Sequence, residues 1–330
     1  MTINTEVERK TFAQAMFDAL DICLSQDKHL TINGDWIFGL QHIGLMDVLK
    51  DKHPGRVLER PCAEAVGAAL GIGAAMAGVP SIVELATGSF SFLAWSQIVN
   101  EASVAHYLSN GQLDVPVVFN IMHGIRGGGG AQHSISPQSM LWSVPGLEIV
   151  LPSSPADVKG LLLSAIRSRN PTVFVEHVKL MGIEGDVPVG DQPIPFGRAD
   201  IKRSGDDVTL VATSYQVQRA LNVAATLTQE GISVEVVDPR TLVPFDEQTI
   251  IGSVRKTGRL AVLDEGNLRC GVASEIVATV AEKAHDALVA PPLRLARADT
   301  PVPFSSTLEA AMLPSEAEIG DAIRHLMAQR

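Results

Sequence analysis

Short apolar runs alternate with amphipathic stretches along most of the chain. Runs rich in Val, Ile and Leu predict buried strands in the first half: HLTIN (29–33), PSIVEL (80–85), PVVFNIM (116–122), LEIVL (147–151) and TVFVE (172–176). Helical patterns lie between them, at 11–24, 64–77, 90–108 and 155–168. This alternation predicts a parallel sheet covered by helices on both faces.

A second set of alternating elements follows residue 200. Its predicted strands and helices lie at 207–213, 217–229, 232–237, 259–265 and 273–284. The stretch between the two sets, 183–200, is dense in Pro, Gly and Asp without periodicity, which is typical of a linker. We therefore predict an α/β fold with two domains, each a mostly parallel sheet flanked by helices. The first domain is expected over residues 1–185, the linker over 186–200 and the second domain over 201–330.

Composition and charge limit the classes of partner. Of the 330 residues, 46% are hydrophobic and 19% are charged, so the chain can fill large cores and is not expected to be disordered. The net charge of −11 disfavours binding to nucleic acid or to an anionic membrane surface. An acidic surface is instead suited to a basic protein partner.

The cysteine pattern and the apolar runs indicate whether the chain is expected in the cytoplasm, outside the cell or in a membrane. Cys23, Cys62 and Cys270 are far apart and form no C-x-x-C pair, so neither a disulfide framework nor a zinc site is expected, and a reducing cytoplasm fits. The polar first ten residues do not resemble a signal peptide. The longest uncharged run, 65–83, contains many glycines and Pro80, which predicts a buried small-residue helix followed by a strand rather than a membrane span.

Four consecutive glycines, 127–130, lie directly before Ala131, Gln132, His133 and Ser134. Glycine costs ordering entropy and brings no side chain, so its uses are positive φ angles and close approach. The run is either a flexible surface loop or a loop pressed against a ligand. It follows a predicted strand, and ligands of parallel sheets lie at the carboxyl ends of strands.

Common nucleotide and hydrolase motifs are absent from the sequence. It contains no G-x-x-x-x-G-K-[ST], no G-x-S-x-G and no H-E-x-x-H. Gly71-Ile72-Gly73 matches only a fragment of the dinucleotide fingerprint, inside a predicted helix, so close helix packing explains it better.

Ordered blocks along the chain carry a family resemblance. They are RVLERPCAEAVGAALGIGAAMAG, VELATGSFSFLAWSQIVNEA, GGGGAQHS and PGLEIVLPSSPADVKGLLLSAIRSRNPTVFVEH, then DPRTLVPFDEQTI, SVRKTGRLAVLDE and TPVPFS. In this order they resemble the beta subunit of thiamine-diphosphate-dependent 2-oxo acid dehydrogenases, a transketolase-like family, over roughly residues 10 to 325. Within it, 267–284 and Met122-His123-Gly124 are most similar to acetoin dehydrogenase beta subunits. The resemblance implies a pyrimidine-binding domain followed by a transketolase C-terminal domain.

The resemblance implies roles for Glu64 and Phe90 toward the cofactor, thiamine diphosphate. Glu64 aligns with the carboxylate that hydrogen-bonds the aminopyrimidine ring and favours protonation of its ring nitrogen, which starts catalysis. Taken alone, Glu64 also fits a first-turn glutamate favoured by the helix dipole. Phe90 aligns with the aromatic that stacks on the aminopyrimidine, although ordinary core packing beside Phe92 and Trp95 is the alternative.

In the same family pattern, His133 aligns with a catalytic histidine near the reacting carbon and the incoming lipoyl group, where an imidazole can exchange protons near neutral pH. Gln132 is implied to contact the cofactor. His123 precedes the same glycine loop, and for it an ordinary loop residue is the better interpretation.

The resemblance also implies a second subunit. Thiamine-diphosphate enzymes hold Mg²⁺ through a Gly-Asp-Gly stretch, and this sequence has none, since Gly34-Asp35 is followed by Trp36. Mg²⁺ is therefore expected on an alpha subunit, in a shared site and an alpha2beta2 heterotetramer. No metal ligand is expected in this chain.

Three positions depart from the family pattern. Gly34 replaces a Glu that belongs to an acidic path linking the two active sites, so communication between the sites is left open. Asn120 stands where Arg is common. Ser168 replaces an acid in a loop that holds a structural cation in relatives, so that cation is not predicted.

We therefore expect an oxidoreductase subunit that cleaves acetoin or decarboxylates a 2-oxo acid and passes the acyl group to a lipoyl acyltransferase core. The alternatives are the same machinery acting on pyruvate or branched 2-oxo acids, and a non-catalytic beta-like scaffold. A free-standing transketolase-like enzyme is disfavoured by the missing Gly-Asp-Gly.

Overall fold

The computed structural model describes residues 6–34 and 37–329, which form two compact units. Unit 1 contains the residues up to His123 together with Met140–Phe196. Unit 2 contains Gly124–Ser139 together with the residues from Gly197 onward. The glycine run therefore belongs to unit 2. Asp35, part of the departure from the family pattern noted above, lies outside the described residues.

The strands of unit 1 are β1 Val7–Thr11, β2 Thr31–Asn33, β3 Val57–Leu58, β4 Ser81–Thr87, β5 Val117–His123, β6 Glu148–Val150, β7 Thr172–His177 and β8 Glu184–Pro188. Its helices are α1 Phe12–Gln26, α2 Phe38–Gln41, α3 Leu45–Lys52, α4 Glu64–Met76, α5 Ser103–Leu108 and α7 Pro155–Arg167, with 3-10 turns Phe90–Ala94 and Val178–Leu180 and a π-helical turn Gln97–Ala102. A short helix, α6 Gln138–Trp142, follows the glycine loop.

Within unit 1, strands β6, β7, β5, β4, β2 and β3 lie side by side in that order, and each of these pairings is parallel. All residues of β5 and β7 are buried. Strands that are buried along their whole length are typical of a parallel sheet that is covered on both faces. β1 and β8 form a separate antiparallel pair, with Val7 opposite Pro188.

Local sequence determines where the long helices of unit 1 begin. The Thr11 hydroxyl accepts a hydrogen bond from the Gln14 amide, and Oε1 of Gln14 accepts one from the Thr11 amide, which is a capping box for α1. Ser154 caps α7 in front of Pro155, a residue suited to the first helical position.

Helix α4 consists mainly of small residues and packs closely on β4. A Cβ on Gly71 would lie 2.2 Å from Cγ2 of Val83, so only glycine permits this approach. Asn33, the last residue of β2, donates from Nδ2 to the Gly67 carbonyl at 3.1 Å. The first turn of α4, which contains Glu64, therefore lies at the carboxyl edge of the sheet.

Unit 2 contains a second sheet with the strand order β14, β13, β10, β11 and β9, in which only β9 is antiparallel to its neighbour among the described strands. The strands of unit 2 are β9 Asp200–Arg203, β10 Val208–Ala212, β11 Val234–Asp238, β12 Thr241–Val243, β13 Leu260–Asn267 and β14 Leu293–Arg297. Its helices are α8 Tyr215–Thr228, α9 Glu247–Thr257, α10 Val272–Ala284, α11 Ser306–Ala310 and α12 Glu316–Ala328, with a 3-10 turn His285–Ala287. The predicted α/β class and the two mostly parallel sheets flanked by helices are confirmed.

Two stretches differ from their predicted local structure. The single helix expected over 90–108 is divided into a 3-10 turn, a π-helical turn and α5. The Ser103 hydroxyl donates to the Val99 carbonyl at 2.7 Å, a local bond that bends helices. The stretch with linker composition contains strand β8, because its backbone finds a partner in β1 that is distant in sequence.

No helix of the described residues has the length and apolar character needed to cross a membrane.

Candidate active site

Glu64 begins helix α4 and carries a buried carboxyl group. The residue is only 7% exposed. Among the residues that the structure describes, none forms a hydrogen bond or ion pair with this carboxylate. A buried carboxylate is stable only with compensating interactions. The geometry therefore leaves Glu64 available to a polar ligand at the carboxyl edge of the unit 1 sheet, where parallel sheets bind ligands.

Phe90 begins the 3-10 turn that follows β4, and this turn packs against α4. The Ser91 hydroxyl donates to the Gly88 carbonyl at 2.6 Å, which fixes the start of the turn. Phe92 and Trp95 contact each other edge to face with ring centroids 6.1 Å apart. Phe90 is half-buried. The structure thus brings together the two elements that carry Glu64 and Phe90.

Buried polar side chains lie on the neighbouring strands β4, β5 and β7. Nδ2 of Asn120 donates to Oε1 of Glu176 at 3.2 Å, so this side chain is engaged by an acid. Burial raises the pKa of Glu176 to about 8; the Asn120 hydrogen bond opposes this shift and the Glu84 charge adds to it. Arg60 donates to the Glu84 carbonyl, and its Nη2 lies 4.0 Å from Oε2 of the same residue.

The backbone at Gly34 favours glycine. Gly34 has a φ of +107°, and a Cβ there would lie 3.0 Å from Cβ of Glu84. A larger side chain would be both strained and crowded at this position.

His123 and His177 form a buried pair at the ends of β5 and β7. The two residues lie opposite each other in the ladder, and their rings meet edge to face at 4.9 Å between centroids. The Lys179 amide donates to Nδ1 of His177 at 3.0 Å. The expectation that His123 is an ordinary loop residue is not met, because it is the last residue of a buried strand.

The glycine loop uses its glycines for backbone conformation and for space. Gly127, Gly128 and Gly130 have φ values of +83°, +95° and +64°. A Cβ on Gly129 would lie 2.6 Å from the Ser134 hydroxyl. Positive φ and close approach both require glycine here. The run therefore has a defined backbone conformation, and contact of the loop with a ligand stays a prediction.

Gln132 and His133 lie on the exposed part of this loop, while Ser134 is fully buried. The predicted site residues are thus divided between the units: Glu64 and Phe90 belong to unit 1, and Gln132 and His133 belong to unit 2.

One buried carboxylate holds the first part of the loop. Oε1 of Glu309 accepts hydrogen bonds from the amides of Arg126 and Gly127 at 3.2 and 3.0 Å. Oε2 of the same residue accepts from the Gly128 amide at 2.6 Å. Just before these residues, the Ile125 amide donates to Glu265.

Two further buried side chains hold the second part of the loop. Nη1 of Arg297 donates to the Ser134 carbonyl at 2.8 Å, and burial lowers the pKa of this arginine. Oδ1 of Asp264 accepts from the Gln138 side chain at 3.3 Å, and burial raises the pKa of this carboxyl group.

The sequence interpretation did not identify these loop-holding residues, Glu265, Arg297, Glu309 and Asp264. Glu309 lies 181 residues from Gly128, and no local pattern around it distinguishes it from a surface glutamate. The four side chains can be identified as contacts of the loop only in the folded structure of unit 2.

The loop at Ser168, where no structural cation was predicted, is held by hydrogen bonds to the acidic side chain of Glu148. The Ser168 hydroxyl, the Asn170 side chain and the Thr172 hydroxyl all donate to Glu148, at 2.6, 3.1 and 2.9 Å. Across residues 6–34 and 37–329, no group of three or more His, Cys, Asp or Glu residues could hold a metal ion.

Comparisons with known proteins identify both halves of the chain. The profile of the transketolase pyrimidine-binding domain matches residues 8–183, and that of the transketolase C-terminal domain matches residues 197–319. A split-gene transketolase, solved as an inactive beta4 tetramer, has the same fold: the TM-score is 0.79 at 19% identity, over 96% of this chain and 98% of that one.

Curated relatives are considerably more similar in sequence. The beta subunit of acetoin:2,6-dichlorophenolindophenol oxidoreductase from Cupriavidus necator is 44% identical over 86% of this chain and 84% of its own length. The subunit of the same name from Bacillus subtilis is 37% identical over 97% of both chains. The pyruvate dehydrogenase E1 component subunit beta of Rickettsia felis is 40% identical over 95% of this chain and 97% of its own.

These matches confirm the family resemblance and the oxidoreductase class that were predicted from the sequence. The chain belongs to the transketolase-like family, in which its relatives are the beta subunits of acetoin oxidoreductases and of pyruvate dehydrogenase E1 components.

Proposed function

We propose that this chain is the beta subunit of an acetoin dehydrogenase-type complex, in which it works with an alpha subunit and thiamine diphosphate. The observation that carries the proposal is the buried Glu64 carboxylate, which none of the described residues engages and which lies at the carboxyl edge of a parallel sheet. The acetoin oxidoreductase relatives support the substrate class.

The residues of unit 1 fit the pyrimidine half of the cofactor. Glu64 would accept a hydrogen bond from the protonated ring nitrogen, and its negative charge would favour that protonation. Phe90, on the adjacent turn, would stack on the ring with its π-face. When bound, thiamine diphosphate supplies the nucleophilic carbon and the electron sink for breaking the bond next to a carbonyl group.

The loop of unit 2 carries the residues proposed for later steps. His133 would exchange a proton with the reacting groups when the acyl unit passes to the lipoyl arm, because an imidazole titrates near neutral pH. Gln132, its exposed neighbour, would donate a hydrogen bond to the same reacting groups or accept one from them. The two-carbon unit is oxidised to an acetyl group as the lipoyl disulfide is reduced.

The diphosphate and Mg²⁺ would be held by the alpha subunit, since this sequence lacks the Gly-Asp-Gly stretch. We propose an alpha2beta2 heterotetramer with a shared site. A lipoyl acyltransferase core is the further partner, and a basic segment of that core would be attracted to residues 200–330 by the acidic charge of the chain. The unpaired cysteine pattern supports a cytoplasmic location.

Pyruvate or a branched 2-oxo acid is the second candidate substrate, supported by the 40% identity to a pyruvate dehydrogenase subunit. A non-catalytic beta-like scaffold is the third possibility. A scaffold has no use for a buried, unengaged carboxylate at a ligand-binding edge, so the geometry at Glu64 favours an enzyme.

Reconstitution tests the function. The chain is mixed with the alpha subunit, Mg²⁺ and thiamine diphosphate, and oxidation of acetoin, pyruvate and a branched 2-oxo acid is followed with a dye acceptor. We expect acetoin to give the highest kcat/KM and the Glu64→Gln complex to be about 10²- to 10⁴-fold less active. Preference for a 2-oxo acid would favour the second candidate, and a fully assembled but inactive wild-type complex would favour the scaffold.

A calorimetric titration tests the shared site. We expect Mg²⁺ and thiamine diphosphate to bind poorly to this chain alone and tightly after the alpha subunit is added. Tight binding to the isolated chain would contradict a shared site.

A further inference from the structure

The three successive amides of Arg126, Gly127 and Gly128 converge on the Glu309 carboxylate. The distances to its two oxygens are 3.2, 3.0 and 2.6 Å, and Glu309 is only 2% exposed. Hydrogen bonds to an ionised acceptor are roughly twice as strong as those between neutral groups. The carboxylate therefore determines the course of the backbone at this point.

This geometry needs both the acid and the glycines. Successive amides point into one concavity where right-handed and left-handed backbone conformations follow each other, and such concavities bind anions. The φ angles of Gly127 and Gly128, +83° and +95°, supply that conformation. In this chain the anion is an internal side chain, delivered by helix α11 of the same unit.

The loop is anchored again beyond His133. The Ser134 carbonyl accepts from Arg297 at 2.8 Å, and that guanidinium also donates to the Asn267 side chain at 2.5 Å. His133 therefore lies on a short exposed span between two anchored points, one at Glu309 and one at Arg297.

We propose that Glu309 is a positioning residue for His133: its carboxylate fixes the glycine loop so that the imidazole is presented in one place. Glycines have no side chains to pack, so the loop is held in place by its hydrogen bonds to Glu309 instead of by side-chain packing. The catalytic part of this proposal rests on the function proposed for His133, whereas the structural part does not.

The test uses Glu309→Gln, which keeps the side-chain volume. A Gln side chain offers one oxygen and one NH₂ group, so its NH₂ would face an amide N–H where the second carboxylate oxygen now accepts. Glu318→Gln is the matched control, because Glu318 also accepts from a backbone amide in unit 2, at Ser315, within a capping box that tolerates Gln.

Gly128→Ala disturbs the same contact by changing the loop instead of Glu309. A Cβ there meets atoms of Phe304 only at 3.8 Å or more, so the substitution strains the backbone at φ +95° without creating a clash. It also guards against the case in which Glu309→Gln fails to fold.

Two readouts on the isolated chain do not depend on activity. In NMR spectra, hydrogen exchange at the amides of residues 126–128 is expected to accelerate about 10- to 100-fold in Glu309→Gln, the range for losing a hydrogen bond to a charged acceptor. The ring signals of His133 should shift or broaden in the same variant and in Gly128→Ala. Both should stay as in the wild type in Glu318→Gln.

The catalytic readout is transfer to a lipoyl domain compared with transfer to a dye acceptor. In Glu309→Gln, lipoyl transfer should fall about 10- to 100-fold while the dye rate changes little, and adding His133→Ala should cost little more, because both changes remove one function. Unchanged exchange and His133 signals would overturn the proposal, as would equal, fully additive losses in both assays. If the wild-type complex transfers nothing to the lipoyl domain, the proposed function is wrong, and the NMR readouts still decide whether Glu309 positions His133.

Discussion

The side-chain amide of Asn120 donates to the Glu176 carboxyl group at 3.2 Å, and both residues are buried on adjacent parallel strands of unit 1. Burial outweighs this hydrogen bond and raises the pKa of Glu176 to about 8, with the nearby Glu84 charge acting in the same direction. At neutral pH, Glu176 is therefore predominantly protonated in the folded chain, whereas it ionises readily in the unfolded chain.

The stability of unit 1 should consequently decrease as the pH rises. Because the folded pKa of Glu176 lies above its ordinary value of 4.5, the folded chain holds the extra proton. The contribution of this group is complete below pH 4.5 and is lost as the pH rises toward 8. Each pKa unit corresponds to about 1.4 kcal/mol, so the loss is on the order of a few kcal/mol.

Urea unfolding of wild type and Glu176→Gln, followed by tryptophan fluorescence at pH 5.5 and pH 8.5, measures this effect. The variant cannot ionise, so its stability relative to wild type should rise between the two pH values. Glu184→Gln, at an exposed position of β8, is the control and should show no such pH-dependent difference. Parallel pH profiles for wild type and Glu176→Gln would mean that Glu176 is not protonated in the fold.

Replacement of His133 by Ala should separate two partial reactions. The imidazole lies on the loop of unit 2, and the proposed hydrogen-bonding group for the cofactor's pyrimidine ring is Glu64, so early steps should proceed without His133. We expect the rate with a dye acceptor to be nearly unchanged and transfer to a lipoyl domain to fall about 10²-fold, the lower end for a positioned acid–base group. His325→Ala, an exposed histidine of α12, serves as the control. Equal losses in both assays would contradict this division of roles.

The sequence predicts the sheets well because parallel strands are buried on both faces. A run such as 116–122 is apolar at every position but Asn120, so its burial can be inferred without knowing its neighbours. The strand Glu184–Pro188 carries no such signal, since it is partly exposed and its partner among the described strands, Val7–Thr11, is distant in sequence. Its existence depends on a contact that is distant in sequence.

The candidate site also contains residues that the sequence predicts and residues that only the structure identifies. Glu64, Phe90 and His133 can be proposed from the sequence because they lie within blocks that carry the family resemblance. Glu309 cannot, because its role is defined by backbone amides that lie more than 180 residues away. Side chains that hold a functional loop have no local periodicity, and only the folded chain identifies them.

Two glycines of helix α4 should respond to alanine in opposite ways. A Cβ on Gly71 would lie 2.2 Å from Val83, so Gly71→Ala should destabilise the chain by about 1–3 kcal/mol through overpacking. Gly73 is exposed and has open space around it, so Gly73→Ala should stabilise the chain by about 0.5–1 kcal/mol through helix propensity. Urea midpoints of the isolated chain test both changes, and a stable Gly71→Ala chain would refute the close packing of α4 on β4.

Glu64→Gln tests the catalytic assignment most directly, because it keeps the volume and a hydrogen-bonding group but removes the negative charge. Without that charge, protonation of the pyrimidine nitrogen is no longer favoured, and proton loss from the reactive cofactor carbon should slow by about 10²- to 10⁴-fold. Assembly with the alpha subunit, measured by size exclusion, should be unchanged. The measurement is hydrogen–deuterium exchange at that carbon in the loaded complex, with acid quench and NMR. Exchange at the wild-type rate would mean that Glu64 only complements the dipole of α4.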